Sequence, residues 1–327
     1  MSDVGLTLVT GATGAVGSAI VEQLHAQGRA LRCLVRNTDA ARPHIPGGVE
    51  LVKGDLTDPD SIRAAMVDVK RVFHAGGIPE QWLADASAFQ RINTNGTKHM
   101  LSAAIEAGVE RFVYTSTQDV FDLDSTPFDE TMPYTRGRPS AYEISKHKAQ
   151  ALVDEAGKDG LPVVSLHPAA VYGPGAANVV GMTGLLKGLM LNKVPVLLAG
   201  GLPVVFNADA ARAHILAEST SGVGQSYILY DSYHTLEQIA ATVASVHADA
   251  QIPSVMPGWI ATLLSHSGEM ASRFTKKPPL VSRAELSVLR RKGRPSSAKI
   301  RTDLGWTTTP FSKGVESTIK WLQESMK

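Results

Sequence analysis

Thr10-Gly11-Ala12-Thr13-Gly14-Ala15-Val16-Gly17 follows an apolar run at 6–9 and opens a helical pattern over 18–27. The order is strand, glycine turn, helix, the unit that brings backbone N–H groups and a helix N-terminus against a pyrophosphate. Far downstream, Tyr142-Glu143-Ile144-Ser145-Lys146 sets a tyrosine and a lysine one turn apart on one helix face. A cation there favours the tyrosinate and makes the phenol a better proton donor to a carbonyl. Together, in this order, the two motifs predict a nucleotide-dependent redox enzyme. Around them, short apolar runs at 6–9, 31–35, 49–52, 71–74, 111–115 and 163–167 alternate with amphipathic stretches such as 60–66, 90–107 and 142–156. That alternation predicts an α/β Rossmann fold, a doubly wound parallel sheet with helices on both faces. Right-handed crossovers then carry the carboxyl ends of all strands to one edge, where every motif falls.

Composition narrows the classes further. A chain of 327 residues with 43% apolar content suffices for one large or two small domains. A net charge of +1 argues against a chain-wide nucleic-acid role. The single cysteine, Cys33, excludes a disulfide framework and is expected in the second strand as a small buried hydrophobe. No run of ~18 apolar residues is free of charges or breakers, so no membrane span is expected. The first strand begins within a few residues of Met1, leaving no room for a signal peptide, and a cytoplasmic location is the expectation. The scattered histidines lack metal-ligand spacing, and no metal is expected. After Gly173 proline and glycine become frequent, so residues 1–172 read as the dinucleotide-binding domain and 173–327 as mainly a smaller substrate lobe. Residues 227–230 read as a further strand. Residues 273–301 hold ten Lys and Arg against one acid, Glu285; a solvated helical face and a seat for an anionic substrate are both open readings.

The chain resembles the extended short-chain dehydrogenase/reductases, and within them the dihydroflavonol-reductase-like branch of the epimerase/dehydratase superfamily. The family's TGxxGxxG is complete in Thr10 to Gly17. His74-Ala75-Gly76-Gly77 resembles its HxAA element, Asn93-Thr94-Asn95-Gly96-Thr97 its NVxGT element, and Phe112 to Thr117 its active-site strand. His167-Pro168-Ala169-Ala170-Val171-Tyr172-Gly173-Pro174 resembles RPxxVYGP, with His167 in place of the usual arginine. The resemblance implies cofactor-binding roles for Gly11, Thr13, Gly14 and Val16. It also implies that Asp55 meets the adenine amine and Leu56 its ring, that Ala75 lies by the ribose–pyrophosphate, and that Pro168 and Val171 border the nicotinamide. It further implies that the segment around 203–231 returns to the first domain. In many relatives a helix pair matching 90–107 and 142–156 makes a homodimer, and the resemblance extends that arrangement to this chain.

The residue that usually binds the ribose 2′-hydroxyl is an acid ~20 residues past the glycine turn. Here the position is filled by Arg36, and no acid follows until Asp39. A guanidinium pairs with a 2′-phosphate that a carboxylate would repel, which predicts NADP(H). For the chemistry, Tyr142 is the expected proton donor, and Lys146 is expected to lower its pKa and hold the nicotinamide ribose. Thr117 aligns with the family's catalytic Ser/Thr as a second donor to the carbonyl oxygen, with Ser116 the fallback. Asn93 is expected beside the site, orienting water or backbone. The first functional reading is an NADPH-dependent reductase of a small-molecule ketone or aldehyde, reversible as an alcohol dehydrogenase. The alternative is a sugar-nucleotide epimerase or dehydratase. Against elimination, Thr117-Gln118-Asp119 lacks the acid pair that a dehydratase uses there, because Gln118 cannot donate as a carboxylic acid does. A non-enzymatic nucleotide sensor is the third reading, and the presence of Tyr142, Lys146 and Thr117 together counts against it.

Overall fold

The computed structural model describes residues 5–123, 125–132, 140–275, 282–291 and 293–326 and, of 269–275, the backbone alone. In chain order the strands are β1 (Leu6–Thr10), β2 (Leu31–Val35), β3 (Glu50–Lys53), β4 (Val69–His74), β5 (Arg111–Thr115), β6 (Val163–Pro168), β7 (Ala170–Tyr172), β8 (Leu197–Leu198), β9 (Gly201–Phe206), β10 (Gln225–Leu229), β11 (Ser232–Thr235) and β12 (Val255–Met256). Seven of them form one sheet in the order β10-β6-β5-β4-β1-β2-β3, parallel throughout. Helices flank it, giving the Rossmann-like α/β architecture. The middle strands are buried along nearly their whole length, which is why they read as continuous apolar runs rather than as alternation.

Two apolar clusters cover the faces of this sheet. One joins Val9, Phe73, Val113 and Leu166 to the helices Ala15–Ala26 and Asn207–Thr220. The other joins Leu8, Val72, Phe112 and Tyr114 to the helices Pro59–Ala65, Gly96–Ala107 and Ala141–Lys158. Cys33 is fully buried in β2, and burial pushes its thiol up to about 12. A third cluster holds Tyr172, Met182, Leu186 and Phe206, residues that belong to a packed core under the small sheet β11-β9-β7.

At the amino edge of the large sheet, Glu218 is nearly inaccessible and accepts from two guanidiniums, Arg29 at 3.1 Å and Arg71 at 2.9 Å. Arg29 also donates to Thr7 Oγ1 at 2.9 Å. A buried carboxylate is tolerated only with such partners, and this cluster pins β1, β4 and the helix Asn207–Thr220 together. At the carboxyl edge Gly11 has φ +68°. A Cβ there would lie 2.5 Å from the Ala75 carbonyl oxygen. A Cβ on Gly17 would lie 2.2 Å from the Gly11 carbonyl oxygen. The helix can therefore start directly under the turn only because both positions lack side chains.

Gly17→Ala is expected to lower folding stability by about 1–3 kcal/mol, since backbone rather than a mobile side chain meets the new methyl. Urea unfolding of the two proteins measures the difference, and equal midpoints would refute the close approach.

Candidate active site

The glycine turn has the features that a dinucleotide requires. Gly14 caps the helix Ala15–Ala26 without any side-chain hydrogen bond, and no acid stands in the first turn. The helix start therefore presents unpaired N–H groups and no negative charge to an anion. Ala75 N–H donates to the Thr10 carbonyl at 3.3 Å, seating Ala75 against the turn. The Thr13 carbonyl accepts from Ala177 N–H at 2.9 Å, and the Val16 side chain packs partly buried against the first cluster. Leu56 lies against Gly76, whose Cβ would stand 3.1 Å from Leu56 Cδ1. These groups fit an adenine dinucleotide.

Arg36 is exposed just beyond β2. Asp55 follows β3, and its carboxylate accepts from Thr57 N–H at 2.8 Å and from the Thr57 hydroxyl at 2.7 Å. The Thr57 hydroxyl and, less strongly, the Arg36 charge hold Asp55 below the usual carboxylate range. Thus the structure brings to Arg36 an acid that strand-by-strand reading of the sequence does not set beside it.

His74 ends β4 and is buried. Its Nδ1 lies 2.7 Å from Thr10 Oγ1, and its Nε2 lies 3.2 Å from Thr97 Oγ1. Thr97 donates to the Asn93 carbonyl, so it accepts from the imidazole. Thr10 accepts from Gly76 N–H and gives its own proton to Nδ1. The chain of bonds selects the neutral Nε2–H tautomer. Burial, reinforced by the Lys146 charge, pushes the group down to about 3.

Tyr142 lies in the first turn of the helix Ala141–Lys158, whose N-cap is a capping box. Ser140 Oγ accepts from Glu143 N–H at 3.1 Å, and the Glu143 carboxylate accepts from Ser140 N–H at 3.2 Å. Tyr142 is buried, with the Thr117 side chain close enough to favour its ionised form. Thr117 itself follows β5 and caps the short 3₁₀ turn Gln118–Val120. Burial and the nearby Asp119 charge raise the phenol well above its ordinary value. Lys146 does not reach Tyr142 as the spacing implies. Its Nζ donates to Tyr114 OH at 3.2 Å and to the Thr115 carbonyl at 3.0 Å.

Asn93 is held by the backbone of Ile78 and by the side chain of Ser145. Its Oδ1 accepts from Ile78 N–H at 2.7 Å, and its Nδ2 donates to Ser145 Oγ at 3.0 Å. Ser145 in turn donates to the Tyr142 carbonyl at 2.7 Å. Asn93 lies in a π-helical turn, Gln90–Asn95, that interrupts the single helix expected over 90–107. Pro168 closes β6 and Val171 lies in β7 beside it. His167 is buried, its Nδ1 3.3 Å from the Thr117 carbonyl and its ring edge-to-face with Phe121. Burial holds it at about 3, so it carries no charge at neutral pH.

Among the described residues of the basic stretch, Arg283, Arg290 and Arg301 are exposed, as a solvated face requires, while Arg291, Arg294 and Lys299 are half-buried. Arg290 donates to the Gly258 carbonyl, Arg294 lies over the Tyr233 ring, and Lys299 donates to the Ser226 carbonyl. Arg291 reaches both Asp119 and Glu143. Lys276, Lys277 and Lys292 lie outside the described residues, as do the side chains of Met270 to Phe274. The Ser140/Glu143 capping box was legible as Ser-x-x-Glu before an apolar run. The arrival of Arg291 had no local signal.

With this geometry in place, the comparisons identify the class. A family model described as the NAD dependent epimerase/dehydratase family matches residues 7–228, and the chain belongs to that family, in its dihydroflavonol-reductase-like branch. It is 26% identical over 326 residues to a Synechocystis protein provisionally named dihydroflavonol 4-reductase, covering 96% of this chain and 94% of that one. It is 29% identical over 252 residues to a 3 beta-hydroxysteroid dehydrogenase/Delta 5-->4-isomerase of Mycobacterium tuberculosis, covering 71% and 66%. Among solved structures it superposes on gox2253 with a TM-score of 0.83 at 29% identity over 98% of each chain. No helix among the described residues is long and apolar enough to cross a membrane.

Three buried histidines bear on stability. His74 and His167 sit at about 3 and His214 at about 4, all chiefly through burial. An unfolded imidazole takes its proton near pH 6.5. The native state is therefore favoured fully above pH 6.5 and loses about tenfold in its folding equilibrium per pH unit below it for each histidine. Thermal unfolding from pH 8 to pH 5 should show a plateau and then a fall starting near 6.5. A flat profile across that window would contradict the neutral assignments.

Proposed function

We propose that the chain is an NADPH-dependent reductase of a ketone or aldehyde, reversible as an alcohol dehydrogenase. Thr117, Tyr142 and Lys146 are its catalytic residues. The observation that carries the reading is the proximity of Thr117 and Tyr142, both buried, one just after β5 and the other in the first turn of the helix Ala141–Lys158. Two hydroxyls held together can share one carbonyl oxygen. In this reading Gly11, Thr13, Gly14, Val16, Asp55, Leu56, Ala75, Pro168 and Val171 line the dinucleotide, and Arg36 meets its 2′-phosphate. When bound, the nicotinamide supplies or accepts the hydride. Tyr142 gives its proton to the oxygen as charge develops, and Thr117 donates a second hydrogen bond. Lys146, held by Tyr114 and the Thr115 carbonyl, holds the nicotinamide ribose. Asn93 acts through Ser145 on the turn that carries Tyr142, as a positioning residue. Residues 1–172 with 203–231 carry the cofactor, and the rest of 173–327 carries the substrate. The curated names among its relatives include reductases and hydroxysteroid dehydrogenases, which favours a cyclic ketone or secondary alcohol. Elimination is disfavoured because Gln118 is an amide and both nearby carboxylates, Asp119 and Glu143, are bound by Arg291.

NADPH should bind roughly tenfold or more tightly than NADH, the worth of about one charge-assisted hydrogen bond. Fluorescence titration measures both, and a preference that survives Arg36→Ala would remove Arg36 from the 2′-phosphate. On a panel of aromatic ketones, aldehydes and steroids, NADPH oxidation should match alcohol formation mole for mole. Tyr142→Phe should cut kcat about 10²–10⁴-fold with cofactor affinity nearly intact. Conversion of a sugar nucleotide without net NADPH oxidation, alongside inert ketones, would replace the reductase with the epimerase reading.

A further inference from the structure

Asp119 and Glu143 stand on either side of the Thr117–Tyr142 pair. Asp119 is in the 3₁₀ turn that Thr117 caps, and Glu143 follows Tyr142 in its helix. Their side chains are only 10% and 2% exposed. One guanidinium spans both: Arg291 Nη1 lies 3.3 Å from Asp119 Oδ1, and Nη2 lies 2.5 Å from Glu143 Oε1. The other Glu143 oxygen is already taken by Ser140 N–H and Oγ. Arg291 is 172 residues from Asp119 and 148 from Glu143 in the chain. It follows the helix Arg283–Arg290, which is fixed at its start by a Ser282/Glu285 capping box and near its end by Leu289 in the third apolar cluster.

We propose that Arg291 is a positioning residue for proton transfer: it ties the Thr117 turn to the Tyr142 turn and neutralises the carboxylate beside the phenol. A planar fork suits two carboxylates at once, as an ammonium does not. Among the described residues, the groups facing the phenol are these. Besides the Thr117 hydroxyl they are Asp119, Tyr114 and Glu143, with Phe89 edge-on at 6.1 Å and Lys146 engaged through Tyr114. Asp119 is the charged group that acts most strongly against ionisation of Tyr142. With Arg291 absent, two buried carboxylates lose a cation, one that offsets the Asp119 charge beside the phenol. The tie also runs from the C-terminal lobe to the catalytic helix, so the lobe that holds substrate sets the geometry of the proton donor.

The inference rests on Tyr142 being the proton donor, and the test separates the two. With a substrate that shows Tyr142-dependent turnover, the pH profile of kcat for alcohol oxidation reads the ionised phenol. Arg291→Met should raise the apparent pKa by about one pH unit and lower kcat at pH 7 about tenfold. Adding Asp119→Asn to Arg291→Met should bring the profile back toward wild type while kcat stays low. A profile unmoved in Arg291→Met would overturn the proposal, leaving Arg291 a structural ion pair. If Arg291→Met does not fold, the double variant decides: kcat and profile both equal to wild type would overturn it. If no carbonyl compound turns over, the functional reading fails, and hydrogen exchange tests the tie alone. Amides of 118–121 and 140–145 should exchange at least tenfold faster in Arg291→Met, and unchanged protection at both would refute it.

Discussion

The approach of the Ala75 carbonyl to Gly11, 2.5 Å from where a Cβ would stand, governs the site. The chain leaving β4, which pairs in parallel with β1, lies this close to the turn, and Gly17 must be bare because a Cβ there would meet the Gly11 carbonyl. That contact is reinforced by a chain of hydrogen bonds through Thr10, His74 and Thr97 to the Asn93 carbonyl. Asn93 then reaches Ser145, and Ser145 the Tyr142 carbonyl. The glycine turn and Tyr142 are thus two ends of one buried polar path. Every link in it is a neutral group, so it suffers none of the desolvation that an ionic path would.

The parallel sheet was legible because its strands are buried on both faces, and Leu6–Thr10 or Val163–Pro168 could only read as continuous apolar runs. The outer strand expected at 227–230 is found two residues earlier, at Gln225–Leu229. Tyr230 leaves the ladder because its N–H is taken by Ser297 Oγ at 2.7 Å. The helix expected over 90–107 fails in its first part for a different reason. A π-helical turn over Gln90–Asn95 turns Asn93 and Thr94 toward Ser145, and one inserted residue leaves no mark on a 3.6-residue period. Strands of two or three residues, such as β7, β8 and β12, are too short for any alternation to register.

The site was legible where its residues lie in one local motif and obscure where they meet from afar. The spacing of Tyr142 and Lys146 singled out one helix, and the family resemblance singled out Thr117 at the end of β5. That the lysine ammonium is aimed at Tyr114 and not at Tyr142 follows from strand β5, which sequence spacing along the helix does not contain. His167, in the place of the arginine of the motif that the sequence resembles, is neutral and buried, with its Nδ1 against the Thr117 carbonyl.

The burial of Cys33 has a practical side. It is the only cysteine in the chain, it has no measurable exposure, and its thiol sits at about 12. A thiolate is the reactive form, so thiol-directed reagents have no target in the folded protein. Any cysteine placed on the surface becomes a unique attachment point. A dye or spin label at Trp259, which is 72% exposed on the lobe's outer helix, and a second in the exposed segment near Arg36 would report the distance between lobe and sheet without removal of the native residue.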